Sequence, residues 1–178
     1  ACAGDYSITR EFTATDDCGN SSSATQTITI VDTTAPLFTY VPADVVSECS
    51  EAQSFESATA EDNCGDVTIA VVETTTPGDC TGNYTITRVF TATDDCGNSS
   101  EASQLVTFID TTPPVLTVPS NYTAECSDEH PMDLATATDA CGSSTVSVTE
   151  WTAQGNAIGN YVITRAFTAT DDCGNFTT

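Results

Sequence analysis

The chain has 178 residues, with 26 acidic side chains against three arginines and no lysine, which gives a formal net charge of −23. This balance excludes nucleic acid as a partner and disfavours an anionic membrane surface, because no basic patch can neutralise phosphate. It favours cations, since a divalent ion relieves repulsion among clustered carboxylates. No apolar run is long enough for a membrane span, so we expect no direct membrane insertion of this segment.

A thirteen-residue phrase recurs three times along the chain. Ile-Thr-Arg-x-Phe-Thr-Ala-Thr-Asp-Asp-Cys-Gly-Asn begins at Ile8, Ile86 and Ile163, at spacings of 78 and 77 residues. A period near eighty with several short strands per unit is typical of stacked β-modules. We interpret residues 1–32 as the end of one module, 33–110 as a complete module and 111–178 as a module without its last strand. The chain is then a segment of a longer polypeptide.

In chain order, the complete module contains only predicted β-strands. A linker with proline precedes short apolar runs at 37–41, 45–49 and 67–72. The longest strand covers 84–93, and one of its faces carries Tyr84, Ile86, Arg88, Phe90 and Ala92. The last strand, at 105–109, alternates in the same way, which places Val106 and Phe108 on one face. Helical periodicity is absent. The sequence predicts an all-β fold of tandem immunoglobulin-like antiparallel β-sandwich modules of about 77–78 residues, each with about seven strands.

The acidic turns are the one group of residues typical of a binding site. The first and last strands of such a sandwich run the same way, so the turns at 61–65 and 94–98 meet the preceding linker at one end. Calcium prefers carboxylate and amide oxygens in this arrangement. Alternatively, Asp, Gly and Asn simply make solvated β-turns. The candidate calcium ligands of the two junctions are Asp32, Asp62, Asp94, Asp95 and Asn98, and then Asp110, Asp139, Asp171, Asp172 and Asn175.

Nine cysteines indicate an oxidising, extracellular setting. Two intra-module disulfides, Cys64–Cys96 and Cys141–Cys173, follow from the expected proximity of the acidic turns. Cys80 and Cys96 flank the longest strand and are too far apart to bond, so Cys49–Cys80 is the second predicted type. The third module has Ala157 in place of Cys80. Either Cys126 is a free thiol or the Cys49–Cys80 pairing is wrong.

The three arginines occupy the same position in each phrase, between apolar neighbours on the inner face. Arg10, Arg88 and Arg165 are expected to be structural, and Arg88 to pair with Glu48 or Glu73, because a charge there requires compensation. Both Glu positions recur, as Glu125 and Glu150. An alternative is that these arginines bind anionic sugars.

Two aromatic or titratable residues stand outside the repeated pattern. Trp151 is either a sugar-stacking platform or a residue that packs at an edge or in the core. His130 lies in an acidic loop and is expected to be exposed. Because the chain has a single histidine, a Ser–His–Asp triad cannot recur in each module, and we expect no enzymatic activity.

The order Asp-Thr-Thr-x-Pro, Glu-Cys, Asp-Asn-Cys-Gly, Gly-Asn-Tyr-x-Ile-Thr-Arg and Thr-Ala-Thr-Asp-Asp-Cys-Gly-Asn resembles HYR-like (hyalin-repeat-like) modules. Such modules occur in tandem in secreted surface proteins and adhesins of Bacteroidetes. The resemblance implies export to the cell surface and adhesive or structural roles. It also implies O-glycosylation at Thr33 and Thr111, and calcium at the junctions as in cadherin-like arrays.

Together these features predict a non-enzymatic extracellular array, such as a stalk, fibre, filament or adhesin shaft, stiffened by disulfides and calcium. Its expected partners are the neighbouring modules of the same chain and other copies in a fibre. The alternative is an adhesion module that binds glycans or proteins. Asn-x-Ser/Thr sequons add possible glycan positions, at Asn20, Asn83, Asn98, Asn121 and Asn175.

Overall fold

The structure, a computed structural model, describes residues 2, 4–125, 127–128 and 133–178. Every regular element in these residues is a β-strand, which confirms the predicted fold class. No helix in this part of the chain is long and apolar enough to cross a membrane. The strands are β1 Tyr6–Thr15, β2 Ser21–Ile30, β3 Leu37–Tyr40, β4 Val45–Glu48, β5 Thr59–Glu61, β6 Val67–Pro77, β7 Tyr84–Asp94, β8 Ser99–Ile109, β9 Val115–Thr117, β10 Thr136–Thr138, β11 Ser144–Gln154, β12 Tyr161–Asp171 and β13 Phe176–Thr177.

The strands form five sheets, as expected of sandwich modules in which short antiparallel strands alternate with turns. β1 pairs with β2, β3 with β5, and β9 with β10, all antiparallel. β11, β12 and β13 form an antiparallel sheet in that order. The largest sheet has the order β4-β8-β7-β6, in which β4 runs parallel to β8.

Strand β7 shows the alternation that its sequence predicts. Arg88, Phe90, Ala92 and Asp94 are buried, while the residues between them are partly exposed. In β8, Val106 and Phe108 are buried, which confirms their predicted common face. The main differences concern strand extent. β5 was not predicted, because three residues are too short for a period-2 pattern, and β6 extends beyond the predicted 67–72 to Pro77. β8 begins at Ser99 because pairing, rather than apolar alternation, extends it through a polar segment.

The chain divides into two compact units, and the limits of these units do not coincide with the repeat boundaries. Unit 1 comprises Ala1–Asp44, Phe55–Thr74 and Thr87–Leu105, and unit 2 comprises Val45–Ser54, Thr75–Ile86 and Val106–Thr178. Strands β6, β7 and β8 contribute residues to both units. Each unit therefore contains parts of two successive repeats. The boundaries at residues 32 and 110 stay a prediction from the repeat.

Each unit has its own buried apolar residues. In unit 1, Phe90 and Ala92 lie in the core together with Ala58. In unit 2, Val106 and Phe108 are buried, and the Phe108 ring stacks on that of Tyr84 with centroids 4.6 Å apart. Stacking of this kind adds to the free energy gained by burying apolar area.

Candidate functional site

The phrase Asp-Asp-Cys-Gly-Asn folds into the same hydrogen-bonded turn in each copy. In the second copy, Asp94 Oδ1 accepts hydrogen bonds from the backbone N–H groups of Cys96 and Asn98, at 2.8 and 2.9 Å. The Asn98 side chain donates to Asp94 Oδ2 at 2.8 Å. Gly97 has a φ of 90°, a left-handed conformation that disfavours residues with a Cβ. Asp and Asn thus build the turn, as the solvated-turn alternative proposes.

The same asparagine also holds the linker aspartate of its unit. Asn98 Nδ2 donates to the backbone carbonyl of Asp32 at 3.2 Å, and Asn175 Nδ2 donates to that of Asp110 at 3.1 Å. The backbone N–H of Asp110 donates to Asn83 Oδ1 at 2.8 Å. Each linker is therefore attached to a turn that lies more than sixty residues later in the chain.

The side chain of Asp110 is buried, and only one of its two carboxylate oxygens has a hydrogen-bond partner among the described residues. It is 6% exposed, and its Oδ1 accepts the backbone N–H of Thr112 at 3.2 Å. Its Oδ2 has no hydrogen-bond partner among the described residues. Carboxylate oxygens of Asp110, Asp139 and Asp171 lie within 4.8 Å of one another. Burial, followed by the charges of Asp139 and Asp171, raises the pKa of Asp110.

The corresponding residues of unit 1 also lie close together, in two overlapping groups. Asp32 groups with Asp62 and Cys64, and again with Asp94 and Cys96. Asp32 is buried, like Asp110. The linker aspartate, the aspartate before the central strand and the first aspartate of the phrase therefore lie close together, as the sequence predicts.

The remaining four predicted calcium ligands are two aspartates and two asparagines. Asp95 and Asp172 are exposed, and Asp172 Oδ2 instead accepts the backbone N–H of Thr81 at 3.1 Å. Asn98 and Asn175 use their side-chain N–H groups as donors to carbonyl and carboxylate oxygens. The second aspartate of the phrase follows the strand end and is exposed, which the sequence alone does not reveal.

All three disulfides in the described residues connect successive repeats, so the predicted pairings Cys64–Cys96, Cys141–Cys173 and Cys49–Cys80 are wrong. The bonds are Cys2–Cys96, Cys49–Cys141 and Cys80–Cys173, with Cα–Cα distances of 4.9, 5.8 and 5.1 Å. Each joins cysteines 92 to 94 residues apart, which is more than one repeat. The physical reason is that the turns of one repeat meet cysteines of the preceding repeat, so those cysteines are nearer than any within the same repeat.

Among the described residues, Cys18 and Cys64 are free thiols. Burial and then the charges of Asp32, Asp62 and Asp94 raise the pKa of Cys64, which disfavours the reactive thiolate. Cys126 lies outside the described residues. Of the two alternatives stated above, the second holds: Cys49 bonds to Cys141, so the predicted Cys49–Cys80 pairing is wrong.

The arginine of β7 is the centre of a buried polar group. The Arg88 guanidinium donates to Glu73 at 2.9 Å, to Gln104 Oε1 at 2.8 Å and to the carbonyl of Glu56 at 2.9 Å. It also lies 4.9 Å from the Phe55 ring centroid. The predicted pairing with Glu73 is confirmed.

The other arginines and the second predicted partner differ in their surroundings. Glu48 accepts hydrogen bonds from Thr111 at the linker, and the carboxylate paired with Arg88 is that of Glu73. Arg165 pairs with Glu150 at 2.7 Å, so the recurrence of this pair is confirmed. Arg10 lies on the exposed strand β1, opposite Gln26.

The remaining predicted positions are the two glycosylation threonines and the two residues outside the repeated pattern. Thr33 and Thr111 are exposed, as a glycosylated hydroxyl requires, and the Thr111 hydroxyl donates to Glu48. Trp151 is 51% exposed on β11, the edge strand of its sheet, so it is not a core residue. His130 lies outside the described residues.

Sequence reasoning missed the glycines that cover the linker aspartates. A Cβ on Gly82 would lie 2.6 Å from the Cβ and 3.1 Å from Oδ2 of Asp110, and one on Gly4 would meet Asp32 in the same way. Only glycine allows so close an approach. The signal was available, because Gly4 and Gly82 are 78 residues apart, which is the spacing of the phrase.

Comparison with known proteins supports the hyalin-like character of the repeat. Hyalin from Strongylocentrotus purpuratus is 39% identical over an alignment of 121 residues that covers 61% of this chain. Hyalin from Lytechinus variegatus is 33% identical over an alignment of 123 residues that covers 62% of this chain. The chain spans 10% and 23% of the lengths of these two proteins. No known family profile matches it. Neither relative bears on an origin in Bacteroidetes, which stays a prediction.

Proposed function

We propose that this chain is a non-enzymatic structural segment of an extracellular protein, a shaft of hyalin-like repeats at the cell surface. Disulfides and calcium stiffen the joints between its repeats. Its partners are the neighbouring repeats and, where shafts assemble into a fibre or filament, other copies of the same protein. The observation that supports this function is that the three disulfides close overlapping stretches of the chain, at 2–96, 49–141 and 80–173.

Overlap matters because it shortens the covalent path along which tension must pass. A force applied at Cys2 crosses to Cys96, returns to Cys80 and crosses again to Cys173. Only the chain from Cys80 to Cys96, with 15 residues between the two cysteines, carries the full tension. Strand β7, Tyr84–Asp94, occupies most of that interval, and its neighbours in the largest sheet are β8 and β6.

An extracellular location agrees with the same bonds. Disulfides persist in oxidising environments and are rare in the cytosol. A net charge of −23 keeps such a segment soluble but opposes its compact state, so covalent cross-links and bound cations both favour the folded form. Sugar on the exposed Thr33 and Thr111 stays a prediction that belongs with this location.

Recognition of a glycan or protein is the second candidate function. The observation that favours it is the half-exposed Trp151 on an edge strand, since such a ring can stack on sugar. Trp151 has no counterpart in the preceding repeat, where Thr74 takes its place. Trp151 belongs to a single repeat, whereas disulfides between successive repeats recur along the chain. The disulfides therefore support a shaft more strongly than Trp151 supports recognition.

Single-molecule pulling on the two ends of the oxidised chain tests the proposed shaft. The fully unfolded path from Cys2 to Cys173 should extend to about 70 Å when oxidised and to about 600 Å after reduction, at roughly 3.5 Å per residue. The double substitution Cys80→Ser and Cys173→Ser should give an intermediate extension of about 270 Å, because the path then runs directly from Cys96 to Cys173.

Cys18→Ser is the matched control for this experiment, since Cys18 is an exposed free thiol. It should leave the oxidised extension unchanged. An oxidised chain that extends as far as the reduced one would overturn the proposed mechanical role.

A further inference from the structure

The side-chain group Asp110, Asp139 and Asp171 has an excess of negative charge, and no arginine of the described residues forms an ion pair with it. Their carboxylate oxygens lie within 4.8 Å of one another, and Asp110 and Asp171 are 6% and 7% exposed. The chain has three arginines and no lysine. Arg88 and Arg165 are paired with Glu73 and Glu150 on the strands.

A second observation distinguishes this group from an ordinary acidic cluster. Asp110 Oδ2 is buried and has no hydrogen-bond partner in the described residues. A buried polar atom without a partner costs roughly 1–3 kcal/mol, more when it is charged, so such an atom requires an explanation. Gly82 lies against this side chain on one side, which limits the access of water.

The other two carboxylates retain oxygen lone pairs for a ligand. Asp139 Oδ1 accepts the backbone N–H of Cys141 at 2.8 Å. Asp171 accepts three hydrogen bonds within its own turn, from Cys173 and Asn175. Since a carboxylate offers about four acceptor positions, each of these side chains can still bind a cation.

We propose that Asp110, Asp139 and Asp171 bind one calcium ion, with Asp110 Oδ2 as the buried ligand. Calcium accepts carboxylates, backbone carbonyls and water in irregular geometry, whereas magnesium demands a near-ideal octahedron. The three ligands come from the linker, from the residues after β10 and from the end of β12. The ion would join the linker to two turns of the following repeat. This role rests on the proposed shaft, but the binding itself does not.

Calcium titration of the intact oxidised chain, first stripped of metal with a chelator, tests this site by calorimetry and thermal unfolding. Extracellular calcium modules bind with Kd near 10⁻⁴–10⁻³ M, so we expect saturation at about 10 mM calcium. The melting temperature should rise by about 5–11 °C when calcium exceeds Kd about 100-fold. Magnesium at the same concentration should give a clearly smaller rise.

Asp110→Asn is the diagnostic variant, because the amide keeps an oxygen to accept from Thr112 and removes the charge. In chelator it should be at least as stable as the parent, since repulsion is relieved. In calcium it should gain less stability, and the affinity of this site should fall at least about tenfold. A merely structural residue would not give this reversal.

Asp17→Asn is the matched control, since it removes one exposed carboxylate from the equivalent turn of the first copy. It should leave calcium affinity within about twofold of the parent. Equal responses of both variants, or equal effects of magnesium and calcium, would mean that cations only screen the net charge, and the site would be refuted. Such a result would leave the pulling experiment on the disulfides unaffected, so the two proposals fail separately.

Discussion

Replacing both Cys49 and Cys141 with serine is expected to lower the free energy of unfolding by about 4 kcal/mol. Their bond closes a loop of 92 residues, and a cross-link over so long a loop removes much conformational freedom from the unfolded chain. For a chain of this size the loss corresponds to a fall in melting temperature of roughly 8–16 °C. Thermal and urea unfolding of the oxidised protein measure both quantities.

Cys18→Ser serves as the control, since that cysteine is exposed and unbonded and its loss should change stability by less than about 0.5 kcal/mol. Replacing the whole bond, rather than one cysteine, avoids a new free thiol that could exchange with Cys80–Cys173. If the double variant were as stable as the control, the Cys49–Cys141 bond would contribute nothing to the fold.

Substituting Arg88 with alanine should destabilise the protein by about 3 kcal/mol. The guanidinium is buried, and its loss leaves Gln104 and the carbonyl of Glu56 without their donor. It also opens a gap beside Phe90, whose ring centroid lies 5.0 Å from the guanidinium carbon. The ion pair with Glu73 contributes less, because Glu73 is 46% exposed and its charge is screened by water.

The repeat supplies a matched control in Arg10→Ala, at the same position of the same phrase. Arg10 is exposed on β1, so its substitution should cost less than about 0.5 kcal/mol. Urea unfolding of the two variants gives the comparison directly. Equal losses would show that the arginine acts through the strand itself and not through its buried partners.

The strands and their buried faces could be predicted because they depend on local patterns. The alternation around Arg88 and Phe90 identifies the inner face of β7 before any partner strand is known. The Arg88–Glu73 pair could be predicted for the same reason, since a charge on a buried face needs a partner nearby. The choice between Glu48 and Glu73 could not, because it depends on the register of strands that are distant in sequence.

The disulfides could not be predicted from the sequence of one repeat. Cys64 and Cys96 do lie in groups that contain Asp32, as the positions of the acidic turns predict. A cysteine of another repeat, Cys2, reaches the same place and bonds to Cys96, and no pattern within one repeat indicates this contact. Loop-closure entropy grows slowly with length, so a bond over more than ninety residues is only slightly less accessible than a shorter one.

The carboxylate groups were predicted in part, for a reason that lies in the turn. Asp94 and Asp95 are adjacent and chemically identical, and the sequence offers no basis for choosing between them. The structure distinguishes them because Asp94 begins the hydrogen-bonded turn and is buried, while Asp95 is exposed. The unpartnered oxygen of Asp110 depends on Gly82, which lies far from it in the sequence.

Peptide mapping of the oxidised protein without reduction determines whether the disulfides connect successive repeats. Mass spectrometry should detect three cross-linked peptide pairs, which contain Cys2 with Cys96, Cys49 with Cys141 and Cys80 with Cys173. Alkylation before digestion should label Cys18 and Cys64. Peptides that join Cys64 to Cys96 and Cys141 to Cys173 instead would show that each repeat is closed on itself and that no disulfide connects successive repeats.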